Sequence, residues 1–399
     1  MESLSPFSKK ELIPQAERLE VGPSKEKIRI GLPRESHFQE KRIGLTPDAV
    51  SVLIANGHEV LVETGAGAGA SYSDHQYSEA GAKISHETAA VFSQPVVLKI
   101  EPPAEAEIQM LAERSTLISA LQINTCAQAY FTALAQKKST GIAIDFISDE
   151  TGGLLIVRTI SEIVGTTSIL IAGELMSNTN GGNGVLLGSA AGIAPAEVVI
   201  LGAGTVGEFA AKSALGLGAS IKVFDHSIAN LRKLQNNLNH RTFTSLIDPK
   251  RLTKALQRCD VAIGAIRAGG ERTPILVGED TVREMKYGAI IIDVSIDHGG
   301  TFETSEVTTH DHPTFVKHDV IHYGVTNIAS RVSRTASMAM SNYLSNYIIE
   351  MGRNGGLDNL LKCDTGLRKG VYLYKGVMTK REVSQWFHLP FTDIDLLIF

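Results

Sequence analysis

The sequence predicts an α/β protein made of two Rossmann-like, doubly wound parallel-sheet domains with a cleft between them. Three observations lead there. The chain has 399 residues, more than one hydrophobic core commonly supports. Two successive series of short β-branched runs alternate with helix-length segments. A strand, a glycine turn, a helix, a second strand and an acid follow one another at 198–225.

In chain order, a polar leader (1–27) precedes KIRIGLPRE (27–35), a short alternating strand. Thr46, Pro47 and Asp48 then open a helix, with a capping hydroxyl and a first-turn proline, and Gly57 closes it. The runs EVLVE (59–63), VVLKI (96–100), LISAL (117–121) and GIAIDFI (141–147) read as further strands of a parallel sheet. After a helical stretch at 161–176 and the loop NTNGGNG (178–184), a second series begins: VVILG, IKVFD, VAIGAI, AIIIDVS and DVIHYGV. Helical periodicity returns after Arg334 in MAMSNYLSNYIIEM, and chain economy packs this stretch back on the first domain. The expected division is 28–154 with 334–399 as a discontinuous substrate domain, and 155–333 as the nucleotide domain. The tail from 354 holds Trp386, the only tryptophan, and ends in LLIF; it reads as a structural or subunit-contact extension.

Composition narrows the function. A net charge of -5 with 20% charged residues lacks the basic excess of a nucleic-acid binder. Cys126, Cys259 and Cys363 lie far apart without CxxC spacing, which argues against a disulfide framework or a structural zinc and fits a reducing cytoplasm. The first residues contain no apolar core of signal-peptide length, and the reading is a soluble, unexported protein.

In VVILGAGTVGEFAAKSALGLGASIKVFD, Gly202, Gly204 and Gly207 follow an apolar strand directly and open a helix. Gly202 permits the tight turn, Gly204 lets the backbone approach a pyrophosphate, and Gly207 lets the helix lie close on the strand. The helix N-terminus beginning at Thr205 favours phosphate. Asp225 ends the next strand, about 20 residues on, where a carboxylate accepts the adenosine ribose hydroxyls. It repels a 2′-phosphate, and no arginine follows it directly, so NAD is expected rather than NADP. Ile266, ending VAIGAI, is counted with the cofactor residues.

With these features in place the chain resembles the family of alanine dehydrogenase and the NAD-binding component of proton-translocating transhydrogenase, from about residue 28 to 347. The carriers are IGLPRE, EKRIGLTP, GHEVLVETGAGAGASYSD, VVLKIEPP, GVLLG, ILGAGTVGEFAAKSALGLGA and IIDVSIDHGGTFETSEVTTHDHPTF. The resemblance implies that Arg42 clamps a substrate carboxylate, as the planar fork of a guanidinium suits. It implies that Lys99 holds the substrate carboxylate or keto oxygen and assists proton transfer. It puts Asp297 beside water, the imine and carbinolamine intermediates and the nicotinamide. Asn327, in HYGVTNI, falls near the nicotinamide ribose or substrate, and Ser161, in SEIVG, near the cofactor. The implied reaction is reversible oxidative deamination of L-alanine or a similar small L-amino acid, in a homo-oligomer, a hexamer by the family pattern.

The pattern breaks where the family carries its proton-transferring histidine. LISALQINT has Gln122 there, and an amide does not exchange a proton near neutral pH. Three readings stay open: a dehydrogenase in which Lys99, Asp297 or water moves the proton; a transhydrogenase-like NAD-binding component; and another NAD-dependent or catalytically silent member. His298, next to Asp297, is a further candidate base. Gly324 and Ala329 replace a usual cysteine and proline on the nicotinamide side.

Overall fold

The computed structural model describes residues 25–123, 126–267 and 272–399, so nearly all of the polar leader lies outside the described residues. The first sheet contains β1 (Arg29–Leu32), β2 (Glu59–Glu63), β3 (Lys83–Ser85), β4 (Val96–Leu98), β5 (Thr116–Ser119) and β6 (Thr140–Ala143). The second contains β7 (Glu197–Leu201), β8 (Ser220–Asp225), β9 (Phe243–Leu246), β10 (Val261–Gly264), β11 (Ile290–Asp293), β12 (Thr314–Lys317) and β13 (Val320–Tyr323). Late in the chain β14 (Val371–Tyr374) and β15 (Val377–Met378) return to the first sheet.

Strand order is β15-β14-β6-β5-β4-β1-β2-β3 in one sheet and β12-β13-β11-β10-β7-β8-β9 in the other. Each sheet therefore winds outward from a central pair, β1/β4 and β7/β10, and reverses direction there. Open α/β sheets bind ligands at that switch point, outside the carboxyl ends of the strands. The central strands are buried on both faces: Val198, Val199, Ile200 and Leu201 are fully enclosed, which is why they read as unbroken apolar runs.

The parallel expectation needs correction at the edges. β12 pairs antiparallel with β13, β14 with β6, and β15 with β14. The cause is local: β12 and β13 are joined by His318 and Asp319, β14 and β15 by Lys375 and Gly376, all four with positive φ. Two-residue loops of that conformation match strand twist and force a hairpin. The short edge strands β3 and β9 carry no strong apolar run, so periodicity misses them.

Thr46 caps the helix Pro47–Ala55, its side chain accepting from Ala49 N, and Gly57 turns the chain out of the helix with φ 89°. The helix Ser333–Arg353 lends Met340, Leu344 and Ile348 to the same apolar core as Ile30 of β1 and Val60 of β2. Leu360, Val371 and Ile398 join that core, while Trp386 is exposed. The helix Leu155–Leu175 is long and apolar enough to cross a bilayer by length and composition. Here it bridges the two cores, with Ile160 packed against both. A Cβ on its Gly165 would lie 2.4 Å from Val206 O, so a glycine lets it rest directly on the helix Thr205–Gly216.

Candidate active site

The nucleotide end is built by the three glycines, each with a distinct steric demand. Gly202 has φ 112°, and a Cβ there would lie 2.3 Å from Ala265 O. At Gly207 a Cβ would lie 1.9 Å from Gly202 O, so only glycine lets the helix start this close to β7. Gly204 is different: its backbone is ordinary and a Cβ would meet nothing within 4 Å. The glycine there leaves space free, immediately before the N-terminus of the helix Thr205–Gly216, where an anion is favoured. Ile266 packs its side chain against the Gly202 turn, and its N–H donates to Ser295 Oγ at 2.9 Å. Ser161 stands one helical turn from Gly165, which touches the same helix start.

Asp225 is buried and braces the turn: Oδ2 accepts from Ala203 N at 2.6 Å and Oδ1 from Ser227 N at 2.7 Å. Each carboxylate oxygen retains a further lone pair for a ribose hydroxyl. The residues present thus fit a dinucleotide: an open cradle at Gly204, helix N–H groups beside it and an acid at the strand end.

The opposite wall comes from loops after β1, β4, β5 and β6. Arg42 grips Glu40 in a fork, Nε to Oε1 at 2.8 Å and Nη2 to Oε2 at 2.6 Å. Glu40 also accepts from Asn327 Nδ2 at 2.6 Å and Ser330 Oγ at 2.8 Å, tying the first sheet's loop to the second domain. Asn327 has φ 56°, a left-handed conformation that asparagine tolerates. Burial alone would raise the Glu40 carboxyl, but the Arg42 guanidinium outweighs it and holds the group down at about 2.

Asp297 lies across the cleft, open to solvent yet enclosed on most sides. Burial pushes it up to about 6, against the pull of Arg42 and of the Asn327 N–H. Its turn is held by buried Asp293, which accepts from Ser295 N, Thr301 N, Phe302 N and Ser305 Oγ. Burial, and then Arg267, lower His298 below the ordinary imidazole range, which makes it a weaker base.

Lys99 is held by partners of its own. β4 stops at Leu98, and the Lys99 side chain turns fully inward, 1% exposed as a residue. Its ammonium donates to Ser36 Oγ at 3.1 Å and pairs with Glu107 at 3.2 Å and Glu35 at 3.6 Å. Only the two shorter contacts are within hydrogen-bond reach, so Ser36 and Glu107 take two of its three protons and Glu35 faces the ammonium as a looser ion pair. Two residues on, Glu101 is also buried, 3% exposed, between Gln122 and Arg42. Its Oε2 accepts from Gln122 Nε2 at 2.5 Å, and its Oε1 is 3.6 Å from Arg42 Nη2.

Glu35, Glu40 and Glu101 were not singled out from the sequence, although they sit inside GLPRE, EKR and KIEPP. The signal was an acid beside each expected cation. Asp145, after β6, completes the wall; it accepts from Leu121 N at 2.9 Å, and burial pushes its carboxyl up to about 6.

Fold and site define a class: a nucleotide-dependent oxidoreductase of two Rossmann-type domains, with its dinucleotide turn opposite an arginine-centred cleft. Residues 31–164 match the family Alanine dehydrogenase/PNT, N-terminal domain, and residues 168–381 match Alanine dehydrogenase/PNT, C-terminal domain. Alanine dehydrogenase 2 of Staphylococcus aureus strain USA300 is 36% identical over 92% of this chain and 99% of its own. Alanine dehydrogenase of Staphylococcus epidermidis is also 36% identical over the same shares. A solved L-alanine dehydrogenase superposes with a TM-score of 0.85 at 34% identity, covering 90% of this chain and 99% of that one. A transhydrogenase from Sinorhizobium meliloti, 21% identical with a TM-score of 0.75 over 89% of this chain and 99% of its own, shares the fold. The chain belongs to the alanine dehydrogenase/PNT family.

Proposed function

We propose that the protein catalyses the NAD-dependent, reversible oxidative deamination of L-alanine, or a similar small L-amino acid, to a 2-oxo acid and ammonia. The observation that carries this reading is the Arg42–Glu40 pair, which Asn327 joins through Glu40 and whose guanidinium acts on the charge of Asp297, in a chain that matches alanine dehydrogenases along nearly its whole length. A protein that only bound a nucleotide has no use for a guanidinium held ready beside that turn.

Gly202, Gly204, Gly207 and Thr205 would hold the pyrophosphate and Asp225 the adenosine ribose. Ser161, Ile266 and Asn327 would line the nicotinamide side. When bound, NAD supplies the hydride acceptor. Arg42 uses the guanidinium edge not spent on Glu40 to orient the substrate carboxylate. Asp297 orients water, while Lys99 acts from inside as a fixed charge. It anchors Glu35, which accepts from Ile100 N at 2.6 Å and Glu101 N at 3.3 Å and so shapes the loop behind the clamp. A reducing cytoplasm, consistent with three free cysteines, and a homo-oligomer are part of the proposal.

Gln122 favours a second reading, a nucleotide-binding component without deaminase chemistry, because an amide cannot replace a titrating imidazole. Oxidation of NADH followed with pyruvate plus ammonium, beside 2-oxobutyrate and glyoxylate, decides between them. Turnover is expected with at least pyruvate. Tight NADH binding with no oxo acid consumed refutes the dehydrogenase reading.

A further inference from the structure

We propose that Glu101 is the catalytic residue that exchanges a proton with the substrate nitrogen, held in place by Gln122 and by the Arg42–Glu40 pair. The inference rests on the deamination reading and deepens it by naming the group that takes over from the absent histidine.

Four other groups at the cleft are poorer candidates. Lys99 is fully buried, with Ser36, Glu107 and Glu35 around its ammonium. Gln122 cannot exchange a proton. Glu40 is held ionised by Arg42, Asn327 and Ser330 and shares a side-chain hydrogen bond with Glu101. Burial and Arg267 make His298 a weaker base than an ordinary imidazole. Among the remaining carboxyls, Glu101 is set apart by its hydrogen bond from Gln122 and its place 3.6 Å from Arg42 Nη2, at the carboxyl end of the switch-point strand β4.

Its setting suits the task. The 3.6 Å separation from Arg42 Nη2 is too long for a hydrogen bond, so the guanidinium edge facing Glu101 still has donors to give. A substrate carboxylate that takes them brings its α-nitrogen, two bonds away from the carboxylate carbon, against the Glu101 carboxyl. Gln122 Nε2 donates to Oε2 and fixes which oxygen stays turned away. The charged and titratable neighbours are Arg42, Glu40 and Glu35 from the loop after β1, and the Cys126 thiol from beyond β5. Burial, and then the negative charge of Glu40, push the Glu101 carboxyl up to about 8 against the pull of Arg42. A group near that value changes state within the working range of an enzyme, the condition for efficient general acid–base catalysis.

In the oxidative direction the ionised Glu101 accepts a proton from the α-ammonium: one N–H bond breaks, one O–H bond forms, and the electron pair stays on nitrogen. In the reductive direction the protonated acid returns it. Lys99 and Glu35 are positioning residues for this loop.

The test uses the full chain with Glu101→Gln, which keeps shape and hydrogen bonding, and Glu101→Asp, which keeps the acid. pH-difference infrared spectra of the protein without ligands read the carboxyl directly. A protonated-carboxyl band titrating near pH 8 is expected in the parent and in shifted form in Glu101→Asp, and its absence in Glu101→Gln. In parallel, kcat/KM for L-alanine oxidation should rise through the same midpoint. In Glu101→Gln it should fall by on the order of 10²–10⁴ and lose that limb, with partial recovery in Glu101→Asp. Thermal melting of each variant reports folding. Glu101→Gln that keeps the parent's pH–rate profile to within a few-fold overturns the assignment and leaves the deaminase reading standing. A parent that turns over no amino or oxo acid, with the infrared band present, overturns the deaminase reading and the assignment with it.

Discussion

Gly204 and Gly207 are both glycines of one motif, yet the structure gives their alanine variants opposite phenotypes. At Gly204 an added Cβ meets no atom within 4 Å, and the backbone, at φ -76°, suits any residue. The folding cost is the loss of a favourable helix-capping glycine, about 1 kcal/mol or less. For domains of this size that moves Tm by about 2–4 °C at most. The methyl group instead occupies the cradle that a pyrophosphate needs. Overpacking of one methylene costs about 1–3 kcal/mol, so NADH should bind roughly 5–150-fold more weakly at 1.4 kcal/mol per tenfold. At Gly207 the Cβ lies 1.9 Å from Gly202 O, and main chain must move. There the 1–3 kcal/mol, or more, falls on folding itself. Fluorescence titration of NADH and thermal melting of both variants make the comparison. Gly204→Ala with an unchanged NADH Kd refutes the assignment of that space to the cofactor. Gly207→Ala with parental Tm refutes the packing argument.

Arg42→Lys replaces a fork by a point charge, and a hydrogen bond to a charged group is worth about 1.5–3 kcal/mol. The KM for pyruvate should rise by about 10–150-fold with kcat held to within a few-fold, as steady-state kinetics would show; a fall in kcat with unchanged KM contradicts a clamp that binds ground state and transition state alike. Stability should also depend on pH in a definite direction. Glu101, Glu35, Asp297 and Asp145 are raised to about 8, 7, 6 and 6, so between the ordinary carboxylate range and pH 8 the folded chain holds protons that the unfolded chain has released. Their contribution is complete in acid and is lost as pH rises through those values, while Glu40, held at about 2, acts in the opposite sense and only below the ordinary carboxylate range. Melting curves from pH 5 to 8.5 should therefore slope less steeply for Glu101→Gln than for the parent, and parallel slopes contradict the raised Glu101.

Much of the fold was legible because its signals are local. The apolar runs that became β1, β2, β4 to β8, β10, β11 and β13 are mostly buried, the central ones on both faces, and burial leaves its mark residue by residue. The glycine spacing at 202, 204 and 207 was legible for a related reason: Gly202 and Gly207 answer steric demands from nearby main chain, and Gly204 leaves space open between them. The hairpins at His318-Asp319 and Lys375-Gly376 were local too, but neither dipeptide is a strong turn signal, so the antiparallel edges went unread.

The substrate wall was legible in part. Arg42 and Asp297 were found through the motifs around them, and the structure brings them together. Lys99 and Glu101 were beyond reach, because a side chain just past a strand end can turn either way. The choice was made by Glu35, Glu107 and Ser36, which arrive from other elements and draw the ammonium inward. By itself the sequence determined two wound sheets, a dinucleotide turn and an arginine at the cleft, all set by short-range sterics and burial. Only the tertiary structure decided which carboxylate neutralises which cation, because that depends on loops from four strands converging in a poorly solvated space. There a charge cannot remain without a partner, and the partner found beside Gln122 and Arg42 is Glu101.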